Sequence, residues 1–146
     1  MRNDTVFETL IDIAIQESDE AAKRLGLSVQ ANQQAKEKLS LLMNYREDYV
    51  QQLGAKLVSG MNARSHQNFC DFLDGLDLAI HRQQEVCQGC EQATAKAMEA
   101  WRDRERQRLS FKTLGQRQTL IAERKESQRE QKLSDEFAAR PRRSLH

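Results

Sequence analysis

Ser59-Gly60-Met61-Asn62-Ala63-Arg64-Ser65 is the stretch on which the reading of this chain turns. It gathers Gly, Asn and Ser into one short segment, the composition of a loop. On both sides the sequence reads as helix for a long way. The only proline of the 146 residues is Pro141. Because proline costs roughly 3 kcal/mol inside a helix, everything ahead of it is free to be helical. A short loop between two long helices makes them antiparallel neighbours. The expected fold is therefore all-α: an antiparallel coiled-coil hairpin with helix 1 over about 4–58, a loop at about 59–65, helix 2 over about 66–140, and a basic tail at 141–146. The whole chain reads as one coiled-coil domain.

Upstream of the loop, Phe7, Ile11, Ala14, Ala21, Leu25, Ala35, Leu39, Leu42, Tyr49 and Leu53 fall on one 4-3 register. Ser18, Ser28, Asn32 and Arg46 interrupt it. A narrow stripe of this kind is a two-stranded seam, not the wide apolar face of a globular helix. Its alanines and serines imply close approach with little buried area. Asp4 or Thr5 is positioned to cap the helix, with Glu8 closing the box.

Downstream, Ser65 is the expected cap of the second helix. Its seam begins at Phe69, Leu73, Leu76 and Ile80 and continues through Cys87, Cys90, Thr94, Ala97 and Trp101. Beyond Trp101 the register shifts to a weaker stripe of Phe111, Leu114 and Ile121. At 1.5 Å per residue the helices would measure about 80 and roughly 110 Å, so the end of the second overhangs the start of the first.

Composition narrows the function classes. Charged residues are 31% of the chain and aromatics 5%, which suits solvated helices better than a thick core. No run approaches ~18 apolar residues, so no membrane span is expected. Three cysteines and no export signal point to the cytoplasm. Charge is uneven: residues 102–146 hold 13 basic and 7 acidic side chains, although the chain's net charge is only +1. The arginines of this arm form a basic run, Trp101-Arg-Asp-Arg-Glu-Arg-Gln-Arg108, which could neutralise phosphates. The interspersed acids and missing stacking aromatics favour instead a solvated face, with Glu105 pairing Arg108 or Arg102. A basic coiled coil binding nucleic acid is the alternative class. Cys87-Gln-Gly-Cys90 is a CxxC placed mid-helix, where neither the strand-helix setting of a redox pair nor a four-ligand zinc set is available, so packing is its expected role. No phosphate loop or nucleophile–base pair can be placed, and no catalysis, cofactor, metal or small-molecule substrate is expected.

Leu42, Tyr45 and Tyr49 share a face, as do Phe72, Leu76 and Ala79. In a hairpin Tyr49 lies opposite Phe72, and Tyr45 opposite Leu76 or Ala79. The two stripes merge near the loop into an apolar cluster, partly outside the seam, of the kind that marks a partner site.

These residues carry a resemblance. Leu42-x-x-Tyr45-x-x-x-Tyr49, Phe72-x-x-x-Leu76-x-x-Ala79-Ile80, Trp101-Arg102, Thr113-Leu114-x-x-Arg117-Gln118 and Gln131-Lys132 with Asp135-Glu136-Phe137-Ala138-x-Arg140 occur in the order and spacing of the flagellar FliJ family. The chain resembles that family over nearly its full length. The resemblance implies a stalk-like component of flagellar type III protein export, cytoplasmic and peripherally associated with the inner membrane at the flagellar base. It implies three kinds of partner: the hexameric export ATPase, the cytoplasmic domain of the membrane export gate protein, and substrate-specific export chaperones. Carried over by position, the gate-binding residues are Leu42, Tyr45, Tyr49, Phe72, Leu76 and Ala79. The family's histidine one turn past the alanine is Gln83 here, with His81 nearby. The basic arm, with Arg102, Arg106, Arg117 and Arg124, is the expected ATPase-binding element.

Overall fold

The computed structural model describes residues 2–141, with the side chains of residues 2–4 left aside. The basic tail expected at 141–146 therefore lies, past Pro141, outside the described residues. Two helices account for the rest: α1 over Arg2–Ser59 and α2 over Ala63–Ala139. They pack against each other as an antiparallel coiled coil, with no strand among the described residues.

Local chemistry fixes the turn. Gly60 closes α1 with φ at +99°, a left-handed conformation that costs glycine nothing and strains other residues. Asn62 then opens α2: its Oδ1 accepts the Ser65 backbone N–H at 2.8 Å. The cap is thus Asn62, not Ser65, and the loop shortens to three residues. An asparagine placed just after a left-handed glycine can accept from the third residue of the new helix, while Ser65 is already inside it. The residues expected to cap the first helix stand inside it as well. Asp4 and Thr5 lie within α1, and the Thr5 carbonyl accepts the Thr9 hydroxyl at 2.9 Å.

The chain divides into two compact units. One comprises Glu20–Arg102 and includes the turn; the other combines the residues up to Asp19 with those from Asp103 onward.

In the turn-containing unit the 4-3 seam holds as expected. Ala21 and Ala35 of α1 and Leu76, Ile80 and Cys87 of α2 are buried, with Leu25, Leu39, Leu42, Tyr49, Leu73, Cys90 and Ala97 half-buried along the same line. Two polar groups in the seam find partners on the facing backbone, whereas the Asn32 Oδ1 is buried without one. Gln83 is buried and its amide donates to the Ala35 carbonyl at 3.0 Å, and the Thr94 hydroxyl lies 3.2 Å from the Ser28 carbonyl.

In the other unit α1 contributes Ala14 and Ser18, both buried, with Phe7 and Ile11 half-buried. The expected register shift past Trp101 does not occur. Leu114 and Ile121 point outward, and the heptad line instead runs through Glu105, Arg108, Phe111, Gly115 and Gln118. The reason is chemical. Ser18 is only 2% exposed, and its hydroxyl donates to Glu105 Oε1 at 2.6 Å. Arg108 grips the other carboxylate oxygen through Nε and Nη2 at 3.1 and 2.8 Å. A fully partnered polar layer can occupy a seam that apolarity alone would assign elsewhere. Gly115 admits Ile11: a Cβ added there would lie 3.1 Å from Ile11 Cδ1. From Ile121 to Ala139 every position of α2 is exposed.

Candidate functional site

Near the turn four aromatic rings meet within one unit. Tyr49 packs against Phe69 and Phe72 with centroids 4.8 and 4.4 Å apart. Tyr45 stacks on Tyr49 at 6.5 Å and meets Phe72 edge-on at 6.2 Å. These separations lie in the favourable range for offset and edge-to-face pairs. Lys56 Nζ sits 4.8 Å from the Phe69 ring centre, a cation–π contact.

Periodicity explains which rings show. Tyr49 and Phe69 are seam positions and are half-buried. Tyr45 and Phe72 immediately flank the seam and remain 53% and 42% exposed. The expected pairing of Tyr49 with Phe72 is present, and Tyr45 meets Phe72. Of the residues carried over from the resemblance, Leu76 is not exposed. At 8% exposure it is core, because it occupies the seam itself one heptad after Phe69. Leu42 and Ala79 are half-buried at the edges. The surface that can be touched is therefore Tyr45 and Phe72, supported from below by Tyr49 and Leu76. Phe69 and Lys56 add to the expected set. Phe69, three residues before Phe72, is visible in the sequence as a seam residue, while the reach of Lys56 across the turn has no sequence signature. Gln83 is turned into the seam and does not extend the surface.

The arginines sort by pairing. Arg104 binds Glu17 at 2.8 Å and Arg108 binds Glu105 at 2.8 Å, so these two are internally engaged. The Arg108 guanidinium and then the Ser18 hydroxyl hold the Glu105 carboxyl below its usual pKa. Of the four expected contact residues, Arg106 makes an exposed pair with Asp103 at 3.1 Å. Arg117 and Arg124 are exposed on α2 in the same unit, and Arg102 is exposed in the turn-containing unit. Elsewhere, Cys87 is buried in the seam and Cys90 half-buried along it, both as free thiols.

The sequence profile described as "Flagellar FliJ protein" matches residues 3–143. The chain belongs to the FliJ family of flagellar export components. A Flagellar FliJ protein of Salmonella typhi is 33% identical over 133 residues, covering 91% of this chain and 90% of the relative. The Flagellar FliJ protein of Escherichia coli K12 is 31% identical over 132 residues, covering 90% of each. Among solved structures, a YscO homologue from Chlamydia trachomatis superposes with a TM-score of 0.72 over 94% of this chain and 90% of its own. At 14% identity that likeness speaks to fold alone. In this FliJ-family chain no helix is long and apolar enough to cross a membrane, among the described residues.

Proposed function

We propose that this chain works as a stalk-like, non-catalytic adaptor of flagellar type III export, touching the export gate through its aromatic surface and the export ATPase through its arginines. Membership of the FliJ family supports the setting. The observation that carries the gate assignment is the Tyr45–Phe72 pair. Two large rings stay about half exposed beside a seam that is already filled by Tyr49, Phe69 and Leu76. Apolar area left in water in this way is released by a partner at roughly 25 cal/mol per Å².

Arg106, Arg117 and Arg124, with Arg102, are the ATPase-facing candidates. Arg117 and Arg124 carry no ion pair among the described residues, so an acidic or polar ring wall could engage them without breaking an internal contact. Export chaperones complete the partner set, and the working location is the cytoplasmic face of the membrane at the flagellar base.

Co-purification of the full chain with the export ATPase, repeated over a salt series, tests the reading. Two separate contacts require association that weakens steadily with salt. They also require that charge reversal at Arg117 and Arg124 abolish it while the Phe72→Ala chain keeps it. ATPase association indifferent to both salt and those reversals would defeat the arginine assignment.

A further inference from the structure

The coiled coil has two sides, and the aromatic surface uses only one. Within the turn-containing unit, Tyr45 and Phe72 both precede a seam residue and meet on one side. The opposite side is formed by the residues that follow the seam positions Ala21, Ser28, Ala35, Leu42 and Tyr49. The ion pair Lys36–Glu91, 3.6 Å long, spans it, and Arg46–Asp77 borders it.

In a two-stranded coil such flanking positions are usually Glu or Lys. In α1 they read Ala22, Val29, Lys36, Met43 and Val50, and one heptad further on comes Leu57. Five of the six are apolar, at a strict spacing of seven. Val29, Met43 and Leu57 are about half exposed and Val50 somewhat less. Apolar residues added beside both seam positions widen the stripe to the breadth found in helices with more than one neighbour. Opposite them α2 offers Asp77, Gln84 and Glu91, with the half-buried Cys70 and Met98 at the two ends. A cleft of about 480 Å³ lies here, lined by Met43, Arg46, Glu47, Val50, Asp77 and Ile80. A neighbouring one on the same side includes Glu85 and Glu91.

We infer that this side is a second docking surface, for an amphipathic α-helix of another protein that carries an apolar heptad stripe bordered by basic residues. The periodicity selects a helix, because only a supercoiled helix meets apolar groups at every seventh residue over this length. Charge selects the basic border. Glu47, Asp77, Glu85 and Glu91 outnumber two permanent cations, Arg46 and Lys36, which are paired with Asp77 and Glu91, while Glu85 meets the His81 ring at 3.2 Å. The surface goes beyond the gate and ATPase contacts and can be tested without either.

The probe is a synthetic heptad peptide with leucine in its stripe and lysine at its borders, compared with a twin carrying glutamate borders. Binding to the full chain is read by fluorescence anisotropy. The lysine peptide is expected to bind about tenfold tighter than its twin, and Asp77→Lys with Glu91→Lys to reverse that order. Met43→Glu with Val50→Glu is expected to cost about tenfold at unchanged helicity, and Phe72→Ala to cost nothing. If the glutamate pair disturbs folding, Val29→Ala with Val50→Ala gives the same comparison more gently. Equal binding of the twins, binding that survives both sets of stripe variants, or loss of binding through Phe72→Ala would overturn the inference. So would sedimentation showing that the stripe variants abolish self-association of the chain, which would make the occupant a second copy.

Discussion

The aromatic cluster near the turn and the polar layer around Ser18 are two solutions to one problem, holding two helices together across a narrow seam. At the first, Tyr49, Phe69 and Phe72 interlock by area and ring geometry. Such contacts are strong, and they tolerate sliding because they are weakly directional. At the second, Ser18, Glu105 and Arg108 exchange directed hydrogen bonds. Each is worth little net, yet a slip between the helices would take the Ser18 hydroxyl away from Glu105 and leave the carboxylate only Arg108, three residues on in its own helix. The difference assigns stability chiefly to the first region and register chiefly to the second.

The largest expected effect falls on the apolar region. Tyr49→Ala removes three ring contacts and should lower stability by about 2–3 kcal/mol, read by denaturant unfolding. Phe72→Ala, at a ring that is already 42% exposed, should cost only about 1 kcal/mol. Equal losses at the two positions would show that Phe72 is core and remove it from the candidate surface. A gain is expected at Gly89, where an added Cβ meets nothing within 4 Å. Gly89→Ala should stabilise by about 0.5–1 kcal/mol, whereas Gly115→Ala should gain less because Ile11 must move aside.

The smallest shift tests the polar layer. The Glu105 pKa is lowered in the folded chain from 4.5, first by Arg108 and then by Ser18. The unfolded chain therefore binds this proton more readily, and the stabilisation is present above the unfolded pKa and lost as pH falls through the folded one. Thermal unfolding followed from about pH 5 to about pH 3 should drop more steeply for the natural chain than for Glu105→Gln. Parallel curves would mean that the layer contributes nothing through its charge.

Much of the architecture is legible in the sequence itself. The Gly60–Asn62 break and the 4-3 spacing carry the hairpin, because turn chemistry and heptads are local properties. The facing of Tyr49 and Phe72 follows from the hairpin register. Past Trp101 legibility fails. Apolarity there points to Leu114 and Ile121, whereas the seam is Glu105 and Arg108, whose burial depends on Ser18 arriving from the other helix. The burial of Leu76 is legible by the same 4-3 spacing: it stands on the seam with Phe69, Leu73 and Ile80, whereas Phe72 falls beside it. The arginine assignments rest on net charge, which cannot separate Arg104 and Arg108, held by Glu17 and Glu105, from Arg117 and Arg124.

The central claim is that the Tyr45–Phe72 surface engages the export gate by apolar contact, and calorimetric titration of the gate's cytoplasmic domain into the full chain tests it most directly. A negative heat-capacity change and little salt dependence are expected. At least about a tenfold loss of affinity is expected for Tyr45→Ala with Phe72→Ala at unchanged helicity, and none for charge reversal at Arg117 and Arg124. Natural-strength binding by the doubly substituted chain, with its helices intact, would contradict the claim.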